Sequence, residues 1–212
     1  MNISKMKGEM STKDRILDAA LTLFSENGYD GTSVEQIADF VGIRAPSLYK
    51  HYAGKEEILN ALIDTAQAHY EGLFGSEINI GKVPESGEEF IRTSMSRISF
   101  TIRDPVIRRT RMLLVQEQFR NERIAGITTM HQLNGIQRMY ARILEEMMKK
   151  GLVGEDDPVQ LAVEVTAPVV LLIAKADRQP QSVKETEESI ERHLRHFCAV
   201  YMKNEQMTSE IE

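Results

Sequence analysis

The chain has 212 residues, 42% hydrophobic and 27% charged, with a formal net charge of −6; this is globular composition and excludes a disordered chain. A single cysteine, Cys198, excludes an intramolecular disulfide framework and fits a reducing compartment. The first ten residues lack an apolar run or cleavage pattern, and the longest nearly apolar stretch, 161–174, is interrupted by Glu164 and too short to span a bilayer, so a cytoplasmic protein with no membrane partner is expected.

In chain order the signals are helical. Ser11 with Asp14 is a weak capping box, and Ile16, Ala19, Ala20, Leu23 and Phe24 form one apolar stripe that ends at Asn27-Gly28. Thr32 with Glu35 is a second capping box; Val34, Ile37, Ala38 and Val41 follow before Gly42 closes the helix. Pro46 suits the first turn of a short third helix, where its missing N–H would be unpaired in any case. Lys55-Glu56-Glu57 opens a fourth, with Ile58, Leu59, Leu62, Ile63 and Ala66 facing inward. Glycines 72, 75 and 81 with Pro84 mark a joint.

Two helices around a tight turn at Gly42-Ile43 predict a helix-turn-helix. The stretch "GIRAPSLYKHYAGKEE", 42–57, is basic and aromatic within an acidic chain: Arg44, Lys50, His51 and Lys55 come before its first carboxylate, Glu56. Leu48 anchors the third helix, leaving Arg44, Ser47, Tyr49 and Lys50 outward. A helix so placed reads the major groove with its N-terminal residues, while lysines and tyrosine hydroxyls hold phosphates. Against this, any short amphipathic helix pair shows charges to water, and residues 1–55 together hold seven Lys/Arg and seven Asp/Glu.

The run "ILDAALTLFSENGYDGTSVEQIADFVGIRAPSLYKHYAGKEEIL", 16–59, resembles the DNA-binding domain of TetR (tetracycline repressor-like) transcriptional regulators. The likeness lies in A-A-x-x-L-F-x-x-x-G-Y, Thr32-Ser33, Ile37-Ala38, Gly42, Leu48-Tyr49, Tyr52 and Lys55-Glu56. It implies an all-α homodimer with an N-terminal helix-turn-helix domain that binds double-stranded operator DNA. A C-terminal helical domain would dimerise and bind a small-molecule effector that releases the DNA. The expected division is an arm at 1–10, a DNA-binding domain at 11–72 and an effector and dimerisation domain at 73–212. DNA contacts are expected from Thr32, Ser33, Arg44, Ala45, Pro46, Ser47, Tyr49, Lys50, His51, Tyr52 and Lys55. Arg44 departs from the family, which often has an N-cap residue there; the missing cap costs about 0.5–2 kcal/mol unless packing holds the helix and the arginine contacts DNA.

Beyond residue 84 the helices are read from the residues. Segment 88–103 carries Ile91, Met95, Ile98 and Ile102 on one side, and Pro105 begins a helix through Phe119 with Val106, Leu113 and Val115. One long helix is expected over 124–150, holding Ile127, Met130, Ile136, Met139, Tyr140, Ile143, Leu144 and Met147. Asp156-Asp157-Pro158 starts the next, which Pro168 should kink or loosen. The last helix, 183–202, shows Ile190, Leu194, Phe197 and Tyr201 at coiled-coil-like spacing.

A helix apolar all round is buried all round. Segment 161–174 is either the centre of a larger bundle or a subunit interface, and the family likeness favours the interface. The expected dimer contacts are Leu161, Val165, Val169, Leu172, Ile190, Leu194, Phe197 and Tyr201. Eight arginines against three acids over 91–124 either line an anionic effector pocket or pair with carboxylates of neighbouring helices. The pocket reading groups Met95, Arg97, Arg111, Met112, Phe119 and Met139 around an organic ligand.

His193 and His196 could share a metal ion, but no Cys/His set completes a site, so no metal or cofactor is expected. No catalytic motif is present, and the chain is not expected to be an enzyme. The expected function is a ligand-responsive dimeric regulator, more a repressor than an activator. The alternatives are a small-molecule-binding helical protein with a non-functional DNA-binding motif, or an enzyme on a helical fold.

Overall fold

The computed structural model describes residues 10–74 and 80–203. Nine residues of the expected arm, and Gly75 of the expected joint, lie outside them. The described residues form ten α-helices: α1 (Thr12–Asn27), α2 (Val34–Val41), α3 (Ala45–Leu48), α4 (Lys55–Phe74), α5 (Gly87–Arg103), α6 (Pro105–Glu117), α7 (Glu122–Thr128), α8 (Gly135–Lys149), α9 (Pro158–Arg178) and α10 (Val183–Tyr201). Among them there is no strand, only an isolated bridge between Val153 and Met202. The all-α class expected from the sequence is what the chain adopts.

The chain divides into two compact units. The first gathers residues to Tyr70 together with Pro105–Thr128; the second holds Glu71–Asp104 and everything from Thr129 on. The sequence, by contrast, assigns 105–128 to the C-terminal domain. The reason is visible in packing: Leu113 and Leu114 of α6 and Ile124 of α7 share one core with Ile16, Phe24, Ile37, Leu48 and Ile58.

The second unit is built on α9, packed against α8 and α10, with α5 across α10. Its core joins Phe90, Ile98, Ile143, Leu144 and Met147 to Leu161, Val165, Val169, Ile190, Leu194 and Phe197. Six residues expected at a dimer interface are therefore core of their own chain: Leu161, Val165, Val169, Ile190, Leu194 and Phe197 are all buried. Leu172 and Tyr201 are only partly buried. An all-round apolar pattern cannot say which face turns inward. The outer face of α9 instead shows Val159 (60% exposed), Ala167 and Leu171 (71% exposed). By length and hydropathy α9 would suit a membrane span, but its inner face is occupied by this core. The helix runs through Pro168 without interruption.

Segment 124–150 is not one helix. Six residues, Thr129–Asn134, form a π-helical turn between α7 and α8, and Met130 is 57% exposed. Such turns insert a residue into the ladder and leave no mark in the apolar period. Likewise α6 stops at Glu117, two residues short of the expected end, so Phe119 is 89% exposed and Val115 stands out to solvent.

Candidate DNA-binding site

Local chemistry sets each element of the motif. Ser11 accepts from the Asp14 amide while Asp14 accepts from the Ser11 amide, completing the box that begins α1. At α2 the box is Ser33 with Gln36. The sequence placed it at Thr32 with Glu35, one residue early. Thr32 instead turns its hydroxyl inward, donating to the carbonyls of Gly28 at 2.9 Å and Leu23 at 3.2 Å, and is buried. Gly42 ends α2 in the left-handed region at φ 79°, where a side chain would be strained. That reversal delivers α3.

Helix α3 has Arg44 at its N-cap with no side-chain cap bond and Pro46 in its first turn. Leu48 is wholly buried and fixes the helix against the core. Arg44, Pro46, Tyr49 and Lys50 are exposed, while Ala45, Ser47 and His51 are half-buried. These seven lie on α3 and its flanking residues, in a segment, 43–55, that has no carboxylate.

Two residues expected on that surface are buried, and a third, Lys55, is half-buried and already bonded within the unit. Thr32 is internal, as above. Tyr52 is 5% exposed; burial first, then the nearby Asp14 and Glu57, pushes its hydroxyl pKa up, and Lys13 Nζ sits 5.5 Å from its ring centre. Lys55 donates to the Tyr29 carbonyl at 2.7 Å, with its ammonium 4.4 Å from the Tyr29 ring centre. Ser33 remains exposed at the N-terminus of α2, beside main-chain donors suited to an anion.

Sequence reasoning missed the braces of this unit. Arg15 on α1 donates to the Val41 carbonyl, and Arg109 on α6 pairs with Asp18 on α1 at 2.9 Å. Arg123 on α7 bonds Glu56 and, at 2.6 Å, Asn60 on α4. Glu117, 3% exposed on α6, accepts from the Tyr29 amide at 3.3 Å. Contacts between segments so far apart leave no local signal.

The residues proposed for an effector divide between the units. Arg111, Met112 and Phe119 belong to the first, Met95, Arg97 and Met139 to the second. Met139 is core and Met95 packs against that core. Arg97 is engaged by the carbonyls of Phe74 at 3.3 Å and Ile80 at 3.2 Å. Arg92 pairs with Glu89 and Arg103 with Glu187. Arg109 and Arg123 are likewise engaged, as described above. A polar pair that the sequence did not single out lies inside the second unit: Tyr140, bonded to Ser94, whose hydroxyl pKa burial raises. A cavity of about 160 Å³ opens between Leu133, Ile136, Gln137, Thr166, Ala167 and Val170. His193 turns its Nε2 to the Val165 carbonyl at 3.0 Å, while His196 is exposed, and no metal-holding cluster occurs among the described residues.

Comparison with known proteins locates the likeness. Residues 16–62 match the family described as bacterial regulatory proteins, tetR family. Over 52 residues the chain is 52% identical to the biofilm operon icaADBC HTH-type negative transcriptional regulator IcaR of Staphylococcus epidermidis. That match spans 24% of this chain and 28% of the staphylococcal protein. Among solved structures, SmeT, the repressor of the Stenotrophomonas maltophilia multidrug efflux pump SmeDEF, superposes with a TM-score of 0.70. It is 20% identical, over 92% of this chain and 93% of that one. A SmeT–triclosan complex gives 0.75 at 21% identity, over 92% and 94%. At such identity the structures show a shared fold, and the sequence match covers the motif built by α1 to α4. Residues 16–62 thus carry the DNA-binding segment of the bacterial regulatory proteins of the tetR family, and the chain as a whole shares the fold of solved regulators.

Proposed function

We propose that the chain is a homodimeric transcriptional repressor that binds operator DNA through α3 and releases it when an organic effector binds the second unit. One observation carries the DNA reading. Leu48 and Gly42 present Arg44, Pro46, Ser47, Tyr49 and Lys50 outward from a segment, 43–55, without carboxylates, although the chain as a whole is acidic. Major-groove reading needs such a surface at the N-terminal end of a recognition helix. The staphylococcal relative's description as a negative regulator supports the sign of the control.

Dimerisation rests on the outer faces of α9 and α10, where Val159, Leu171 and Val200 are all more than half exposed. The effector reading rests on adaptable Met95 and Met139, the Tyr140–Ser94 pair and the triclosan complex of SmeT. The cavity at Leu133 and Val170, about 160 Å³, is smaller than the 300–1,000 Å³ or so of ligand pockets. A drug-sized ligand seated there would have to widen it on entry, and could in that way favour a second conformation. To shift a population from 1:99 to 99:1 it must bind that conformation better by about 5.5 kcal/mol.

The test is selection of duplexes from a randomised pool by the full chain, then gel shift against random DNA. Recovery of a two-half-site sequence bound at least a thousandfold, on the order of the usual specificity ratio, is the expected result. No enrichment would remove the DNA reading and leave a ligand-binding protein with a silent motif.

A further inference from the structure

We infer that the cavity beside the π-helical turn is a binding site for a neutral, single-ring aromatic compound carrying one hydrogen-bonding substituent, which Gln137 holds. Its role in releasing DNA rests on the effector reading above; the site itself does not. Leu133, Ile136, Ala167 and Val170 give the cavity apolar walls, and Gln137 and Thr166 are its polar lining. The Thr166 hydroxyl is buried and already donates to the Ala162 carbonyl at 2.6 Å. The Gln137 carboxamide, half-buried on α8, makes no hydrogen bond to any described residue. Among the lining side chains it alone has both a donor and an acceptor to offer. Apolar walls with few placed polar groups are what small-molecule sites consist of.

Size and charge set the class of ligand. The cavity measures about 160 Å³, close to the roughly 150 Å³ of an engineered cavity in another protein that takes benzene. One ring fits without moving the walls. No charged side chain lines the cavity, so an ionised ligand would leave water without a counter-charge. Arg97 and Arg111, the arginines weighed for an anionic pocket, are not among its lining residues.

Backbone irregularity on both walls supports this independently. Leu133 belongs to the π-helical turn Thr129–Asn134, and such turns recur at functional sites. On the other wall, Ala167 and Val170 flank Pro168, which has no N–H to donate to the Glu164 carbonyl one turn back. Each wall thus lacks part of the regular helical ladder. The first unit ends at Thr128, so the π-helical turn is also where the chain enters the second. A ring lodged against Leu133 bears on a segment that joins the two units.

The experiment titrates the full chain, its methyl groups isotopically labelled, with phenol, toluene and benzoate. Phenol and toluene should shift the methyl resonances of Leu133, Ile136 and Val170, and benzoate should not. Gln137→Met keeps the length of the side chain without its amide donor and acceptor. It should lower the ratio of phenol to toluene affinity about tenfold, that is about 1.4 kcal/mol. Ala167→Leu, at an exposed position, should fill the cavity and abolish both sets of shifts with the fold intact. Benzoate binding as tightly as phenol, a ratio unchanged in Gln137→Met, or shifts confined to other methyls would each overturn the inference. So would shifts seen only once the chain is made monomeric, since a second copy would then be the occupant of the cavity. Affinity for the selected duplex, measured with and without phenol, separates the two levels. Methyl shifts with unchanged DNA affinity would leave the site standing and remove it from the release of DNA. No shift, with the duplex still bound, would remove the site and leave the DNA reading standing.

Discussion

The Arg15 guanidinium on α1 donates to the Val41 carbonyl, 2.6 Å away, at the C-terminal end of α2. A cation there also meets the negative end of the helix dipole. The first helix thus completes the end of the second immediately before Gly42 reverses the chain, in the turn on which the placement of α3 depends.

Arg15→Met should cost about 0.5–1.5 kcal/mol, the range for an ordinary net hydrogen bond, since the residue is exposed and water can replace part of what is lost. Thermal denaturation will show the cost. Faster hydrogen exchange at the Gly42 and Ile43 amides, which bond back to Ala38 and Asp39, will show where it falls. Unchanged exchange there would mean that α2 is held by packing alone.

On the DNA face, Lys50 and Arg44 should separate by their readouts. Lys50→Ala should weaken binding to every sequence alike and reduce the salt slope by about 1, as loss of one phosphate contact does. Arg44→Ala should change the preferred base at one position of the selected site, with discrimination lowered by about 1–3 kcal/mol. Repeating the duplex selection with each variant reads both. If Lys50→Ala keeps the parental slope, Lys50 is not a phosphate contact.

The legible parts of this fold are those set by neighbours in sequence. Gly42, Pro46, the Ser11 box and the inward stripe of α4 act within one or two helical turns, and the structure realises each. The box at α2 slipped by a residue because Thr32-x-x-Glu35 and Ser33-x-x-Gln36 both fit the pattern; only the tertiary pull of the Gly28 carbonyl on Thr32 decides between them. The exposure of Phe119 and Val115 is not legible in the sequence, because an apolar position near a helix has no face until a partner is known. The allegiance of α6 depends on Leu113 and Glu117 meeting residues far earlier in the chain. A sequence shows the charge of Lys55 and not the Tyr29 carbonyl to which it also donates.

Acid should weaken the second unit in part through Glu187. Its carboxyl pKa is lowered chiefly by the Arg103 hydrogen bonds, at 2.7 and 2.6 Å, with burial opposing. A carboxyl depressed in the folded state adds stability above its unfolded pKa of about 4.3. That stability is lost as pH falls through the lower folded value. Glu187→Gln should therefore melt below the parent at neutral pH, with the gap narrowing as pH drops below about 4. A gap constant from neutral pH to pH 3 or so would show that the pair contributes no proton-linked stability.

Cys198 should be inert while the fold is intact. Burial, reinforced by Glu88, pushes its thiol pKa up to about 11, and its Sγ faces the Gly87 carbonyl at 3.9 Å. Since only the thiolate attacks, an aromatic disulfide reagent at about pH 8, below the ordinary thiol pKa of about 8.5, should label it at the rate of unfolding. Immediate stoichiometric labelling would show that the α5–α10 contact opens readily.

Assembly can be tested by separating the two faces of α9. Leu161 and Leu171 lie on the same helix, but Leu161 is 1% exposed within its own chain and Leu171 is 71% exposed. A carboxylate at the first has no water and no partner, and its desolvation should unfold the second unit outright. At the second the lone chain offers full hydration, so Leu171→Asp should leave the helical signal and melting cooperativity of the unit intact. In a dimer that position is covered, and two like charges near the symmetry axis would oppose association. Ultracentrifugation should therefore find the parent dimeric at micromolar concentration, Leu171→Asp monomeric and folded, and Leu161→Asp misfolded. Affinity for a two-half-site duplex should fall with the dimer, because half-sites about 34–36 Å apart need two linked recognition helices. Binding to a single half-site should persist at the level of one α3. A parent chain that sediments as a monomer, or a Leu171→Asp variant that remains dimeric, would place the interface elsewhere or remove it.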